Sequence, residues 1–102
     1  MPQYIRLFQT AVDPADVEEV TRLFEDDVKP VFARLAGCVS IELVVSIDKN
    51  AGGLVDGAAL SRWSSIEEME TALESREVAE ALIRVRQVLR QEPISRVFEV
   101  LG

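Results

Sequence analysis

The sequence contains no histidine. That removes the side chain most often used for proton transfer at neutral pH and the commonest metal ligand. Its single cysteine, Cys38, excludes an intrachain disulfide. Cationic side chains are scarce: 11 Lys and Arg stand against 18 Asp and Glu, a net charge of −7. The chain therefore lacks the basic footprint that nucleic acid or an anionic membrane surface requires. No apolar run approaches the roughly 18 residues of a membrane span. The N-terminus lacks the basic-then-apolar layout of a signal peptide, so these absences predict a cytoplasmic protein. There is no recognisable catalytic triad, metal site or phosphate-binding loop. Cys38 lies between Gly37 and an apolar strand, where it reads as a buried small hydrophobe rather than a reactive thiol.

What is present is a single domain, expected to span residues 1–102. The chain is 48% hydrophobic and 28% charged, enough for a substantial core under an ordinary soluble surface. Tyr4 to Val12 carries Ile5, Leu7 and Phe8 and reads as a first strand. Asp13-Pro14 opens a helix: Asp13 can cap it, and Pro14 suits a first turn that needs no amide donor. Asp16, Glu18 and Glu19 suit the positive end of its dipole. Val17, Val20, Phe24, Val28, Val31, Phe32 and Leu35 then form one apolar stripe at helical spacing. Pro30 interrupts the pattern and predicts a kink near Asp26 to Pro30. Gly37 supplies a helix stop.

Val39 to Asp48 alternates cleanly, with Val39, Ile41, Leu43, Val45 and Ile47 on one face. Asn50-Ala51-Gly52-Gly53 is turn chemistry, so the strand from Leu54 to Trp63 returns antiparallel. Ser65 and Glu68 have capping-box spacing before a second helix. The apolar stripe of that helix slips at Glu74-Ser75-Arg76-Glu77, so either the helix bends at Ser75 or Ser75 caps a separate segment. Pro93 ends the helical region, and Ile94 to Leu101 forms the last strand.

The order βαββαβ predicts an α+β, ferredoxin-like fold, in which two helices cover one face of a four-stranded antiparallel sheet. The uncovered face should then be polar, and it is not. Strand one leaves either Ile5 and Leu7 or Tyr4 and Phe8 on it. The last strand leaves either Val97 and Leu101 or Phe98 and Val100. A sheet apolar on both faces needs a second cover, and a two-fold contact with another copy supplies one. A homodimer through the sheet face is the expected assembly.

The hairpin ending in Trp63-Ser64-Ser65, the following helix with Leu73 and Ser75, and the helix-Gly37-strand junction after a mid-helix proline resemble the antibiotic biosynthesis monooxygenase-like superfamily. The resemblance covers nearly the whole chain. It implies a dimeric α/β barrel and, among the family's activities, cofactor-independent oxygenation of phenols or quinols. The haem-degrading branch of the family places an iron-binding histidine at what is Leu82 here and an asparagine on strand one, which Tyr4 to Thr10 lacks. Leucine cannot ligate iron, so that mode of haem binding is not expected.

The resemblance directs attention to Trp63, the only tryptophan, whose neighbours along one strand face, Gly57, Ala59 and Ser61, are small. Either the small residues leave a ligand cavity that Trp63 lines, or they make room for a ring that fills the core. Arg6 and Arg62 can orient a phenolate or carboxylate, or can pair with Glu42, Asp56 or Glu99 across the sheet or dimer seam. Tyr4 and Gln9 can hydrogen-bond a substrate or simply face solvent. Glu42 and Asp56 are conceivable as an acid–base pair, and Glu25-Asp26-Asp27 reads as a solvated helix face. The ligand-binding candidates are thus Trp63, Arg6, Ser61 and Tyr4, with no catalytic residue identified, no metal and no cofactor required. The expected function is that of a small monooxygenase-like protein acting on an aromatic or phenolic molecule. The alternative is a non-catalytic dimeric ligand-binding or structural module.

Overall fold

The computed structural model describes residues 3–102. Strand β1 (Tyr4–Val12) leads through a 3₁₀ turn (Pro14–Asp16) into helix α1 (Val17–Leu23), a π-helical turn (Phe24–Val28) and helix α2 (Lys29–Ala33). Strands β2 (Cys38–Lys49) and β3 (Val55–Trp63), helices α3 (Ile66–Leu73) and α4 (Arg76–Arg86), and strand β4 (Ile94–Glu99) follow. The sheet order is β2-β3-β1-β4, with every neighbouring pair antiparallel. This is the expected ferredoxin-like arrangement.

The first helical region starts as its sequence dictates. The Asp13 carboxylate accepts from the Ala15 amide at 2.9 Å, and Pro14 follows it where the first turn needs no donor. The interruption at Pro30 takes a specific form. Instead of a simple kink, the backbone inserts the π-turn, and the Lys29 amide reaches back to the Phe24 carbonyl. A π-turn leaves one backbone acceptor out of the helical ladder, and proline is the residue that brings no amide to fill it. The turn keeps Phe24 and Val28 both buried. Asp27 in this turn pairs with Arg84 of α4 at 3.4 Å, so the acidic run is partly a clamp between helical segments as well as a solvated face.

Gly37 has φ +85°, and a Cβ built there would lie 2.5 Å from the Glu68 Cβ. The position therefore requires glycine twice, for backbone conformation and for the close approach of α3. That approach is fixed by Ser65, whose hydroxyl accepts from the Glu68 amide at 3.2 Å, and by the Glu68 carboxylate, which accepts from the Ser64 and Ser65 hydroxyls at 3.0 and 3.1 Å. At the slip in the second helical stripe, Ser75 is extended and its hydroxyl accepts from the Val78 amide at 3.3 Å. Of the two readings of that position, the separate capped segment is the one adopted. The segment buries Val78 and Ala81 in the core that also holds Phe24, Val28 and Phe32.

Register fixes the two sheet faces. Arg6 opposes Ser61, Phe8 opposes Ala59, Thr10 opposes Gly57, and Ile41 opposes Ser61 from the other side. These residues face the helices. The opposite face carries Ile5, Leu7, Leu60, Val44 and Phe98, interspersed with Glu42, Arg62 and Arg96. The alternation in β2 is less regular than its sequence. The pairing shifts between Cys38 and Ser40 and again between Val45 and Lys49. Each extra residue re-aims its neighbours, leaving Val39 54% and Ile47 99% exposed, away from the core that their spacing predicted. Strand β4 is exposed along its whole length, on the helix-facing side as well as on the open one.

Candidate functional site

Between the helices and the inner sheet face lies a cavity of about 60 Å³. Its floor is built by Arg6, Phe8 and Thr10 of β1 with Gly57, Ala59 and Ser61 of β3 and Ile41 and Leu43 of β2. Its roof comes from α1, the π-turn, α2 and α4, which contribute only Val, Phe and Leu side chains. Gly57 and Ala59 put almost no side chain into this space. Wider depressions, one beside Arg34 and Glu67 and one along residues Arg86 to Pro93, are not lined by Arg6.

Arg6 and Ser61, two of the four residues singled out from the sequence, come together on this cavity wall. Arg6 is half-buried on the helix-facing side, next to the uncovered β4. Its guanidinium donates to the Ser95 hydroxyl at 3.0 Å and lies over the Phe8 ring at 5.4 Å from the centroid. Among the described residues no carboxylate is within ion-pair distance of it. The alternative of pairing with Glu99 is therefore not adopted, although Glu99 lies on the same sheet face opposite Tyr4. Burial destabilises the charged form of Arg6 and lowers its pKa, with no neighbouring anion offsetting it. Arg62, on the outer face, hydrogen-bonds the Gln3 side chain at 3.3 Å rather than Glu42 or Asp56.

Ser61 is 2% exposed and its hydroxyl is committed on both sides. It accepts from the Trp63 indole Nε1 at 2.9 Å and points to the Arg6 carbonyl at 3.5 Å. Trp63 itself is fully buried, packs edge-on against Phe32 with ring centroids 6.2 Å apart, and does not line the cavity. It meets the cavity wall from behind, through Ser61 and Phe32, both of which line the cavity. Tyr4 is half-buried on the same sheet face, opposite Trp63 and Glu99, and also stands outside the cavity lining. Glu42 and Asp56 do not converge. Asp56 takes a hydrogen bond from Asn50 at 3.3 Å near the hairpin, on the outer face.

Thr10 and Leu82 line the cavity and were not singled out as ligand contacts. Thr10 was readable, because it continues the Arg6-Phe8 parity along β1; its hydroxyl donates to the Gln91 carbonyl at 2.8 Å. Leu82, at the position where the haem-degrading branch is expected to carry histidine, offers the cavity an apolar side chain. Cys38 is half-buried beside the core, its thiol 3.7 Å from the Ser40 carbonyl, and burial pushes its pKa up, the state of an unreactive thiol. No group of three Cys, Asp or Glu side chains converges as metal ligands would among the described residues.

A monooxygenase from the ActVA-Orf6 gene of Streptomyces coelicolor, solved with nanaomycin D, superposes with a TM-score of 0.83 over 97% of this chain and 88% of that one, at 16% identity. The chain has the antibiotic biosynthesis monooxygenase-like fold. A candidate antibiotic biosynthesis monooxygenase from Bordetella bronchiseptica matches over 100% of both chains with a TM-score of 0.80 and 16% identity. Rv0793 from Mycobacterium tuberculosis matches over 100% of this chain and 97% of its own, with a TM-score of 0.72 and 19% identity. No protein-family profile and no curated protein matches the sequence. The shared feature is thus the monooxygenase-like fold. Among the described residues no helix is long and apolar enough to cross a membrane.

Proposed function

We propose that this chain, acting as one domain over residues 1–102, binds an aromatic or phenolic small molecule in the cavity between sheet and helices, as a monooxygenase-like protein that needs no cofactor. The observation that carries this reading is an apolar cavity with one unpaired, half-buried cation on its wall. The structural likeness to a monooxygenase solved with a ligand supports the oxygenase class. In such a reaction a phenol with a free ring C–H combines with O₂ to give a quinone and water. One oxygen atom replaces the hydrogen of that ring C–H as a new C=O, and the other leaves as H₂O with this hydrogen and the phenol O–H hydrogen. The protein's part is to exclude water and to stabilise the phenolate that reacts with O₂. Arg6 can fill the second role. Thr10 and Ser61, the other polar groups on the wall, are already hydrogen-bonded.

Size limits the ligand. An enclosed cavity of roughly 150 Å³ accommodates benzene, so about 60 Å³ takes one ring only if the wall yields or the ring projects toward β4. A specific observation also favours a non-catalytic ligand-binding module: the cavity lining contains no carboxylate, and histidine is absent. One experiment separates the two. One-ring phenols and quinols are titrated by calorimetry, and those that bind are tested in an oxygen electrode. Saturable binding with one O₂ consumed per phenol oxidised supports the oxygenase. Binding without O₂ uptake supports the module. No binding of any ring compound refutes the ligand reading in both forms.

A further inference from the structure

We infer that the cavity selects a ligand that is already an anion, an aromatic carboxylate or a phenolate, whose negative oxygen sits on the Arg6 guanidinium while its apolar body fills the space under Phe24 and Leu82. This rests on the proposed ligand-binding role of the cavity and adds the ionisation state and orientation of what binds.

Three observations carry it. The first is the state of Arg6. In a chain of net charge −7 with 18 acidic residues, a strand arginine would ordinarily sit against a carboxylate. This one has a serine hydroxyl and the face of Phe8 instead. A guanidinium has five N–H donors in a fork that matches a carboxylate, so most of its donor capacity is uncommitted. The second is the setting. The helix layer leaves β4 exposed, and Arg6 lies on β1 directly beside that strand, so a ligand can place its charged end there while its body enters the apolar interior. The third is what surrounds it. The helical elements over the cavity bring only Val, Phe and Leu, and the sheet adds Thr10 and Ser61. On β4, the residue directly opposite Arg6 is Val97, with Ser95 and Glu99 two positions to either side. The cavity lining therefore offers no base to remove a proton from a neutral phenol. Ionisation must therefore precede entry.

The test uses 4-nitrophenol, whose ionisation near neutral pH changes its colour, with 4-nitroanisole as a neutral analogue of similar shape. The absorbance of protein-bound 4-nitrophenol is titrated with pH. The expected result is a bound pKa at least about one unit below that of the free compound, a tenfold preference for the anion. Arg6→Gln should bring the bound pKa to or above the free value, because an apolar cavity alone favours the neutral phenol. Arg6→Lys should retain the downward direction. Gly57→Val is the cavity-filling control: a Cβ at Gly57 meets Val44 and Val45 at ordinary contact distances of 3.5 and 3.7 Å, and the larger side chain occupies the floor. It should abolish binding of both compounds.

A bound pKa equal to or above the free value in the unmodified protein overturns the inference, as does a downward shift that survives Arg6→Gln. If 4-nitroanisole binds as tightly as the phenolate, the cavity remains a ligand site and only the anion selection fails. If neither compound binds, the proposed ligand-binding role fails with it.

Discussion

Replacing Trp63 with alanine is expected to remove about 3–5 kcal/mol of stability, the range for deleting a large aromatic side chain from a packed interior. The indole is fully buried at the centre of the core that joins Phe24, Val28, Phe32, Ile41 and Met69. Its loss removes the edge-on contact with Phe32, opens a hole too large for neighbours to close, and strips Ser61 of its Nε1 donor. A domain of this size has about 5–15 kcal/mol in total, so the variant should be largely unfolded at modest denaturant. Trp63→Phe keeps most of the ring but not the N–H, and should cost less. Because Trp63 is the sole tryptophan, unfolding has to be followed by far-UV circular dichroism in urea. A loss under about 1 kcal/mol for Trp63→Ala would contradict the packing described and return Trp63 to the role of a loosely held pocket residue.

Placing a charge at Leu60 is expected to split the protein into monomers. Leu60 sits on β3 between Leu7 and Glu42 on the outer sheet face, with Val44 at 47% and Phe98 at 48% exposure nearby. We propose that a second copy covers this face by a two-fold contact, since Ile5, Leu7, Leu60, Val44 and Phe98 lie on it. In such a contact one substitution acts twice. Two lysines buried at the seam of a Leu60→Lys variant cost several kcal/mol each, which weakens self-association by a factor of 10³ or more, on the order of 4 kcal/mol. Sedimentation velocity should give twice the chain mass for the unmodified protein and one chain mass for the variant. A unmodified protein that sediments as a monomer at high concentration would refute the dimer.

The alternation from Ile41 to Val45, the Gly37 stop, the Asn50–Gly53 turn and the Ser65–Glu68 spacing were enough to read the sheet and both helical regions. They succeeded because each depends on local backbone chemistry. Pro30 signalled a break, but a missing amide does not say whether the helix kinks or winds wider. The π-turn is decided by Phe24 and Val28 both finding the core. Strand pattern left open which face meets the helices, since Ile5/Leu7 and Tyr4/Phe8 are equally apolar. Pairing resolves it, and with it the position of Arg6. The irregularities in β2 were invisible because Val39 and Ile47 keep the right spacing while the register shifts around them.

At the candidate site, Arg6 and Ser61 were legible as polar strand residues, while their shared face comes from the pairing of β1 with β3. That Ser61 serves the indole, and that Arg6 has Ser95 rather than an acid, depend on strand register and on side-chain reach. Trp63 illustrates the same limit. The small residues beside it fit both a cavity and a packed ring, and both exist: the space lies over Gly57 and Ala59, while the ring packs one step further along the strand against Phe32.

The central claim is that the space under the helices is a ligand site anchored at Arg6. Methyl and arginine side-chain chemical shifts recorded while 4-nitrophenolate is titrated test it most directly. The account predicts saturable shifts at Val28, Leu82 and Val85, on the cavity roof, together with the Arg6 Nε–H. Shifts confined to Val44 and Leu60 on the outer face, or none up to millimolar ligand, would contradict it.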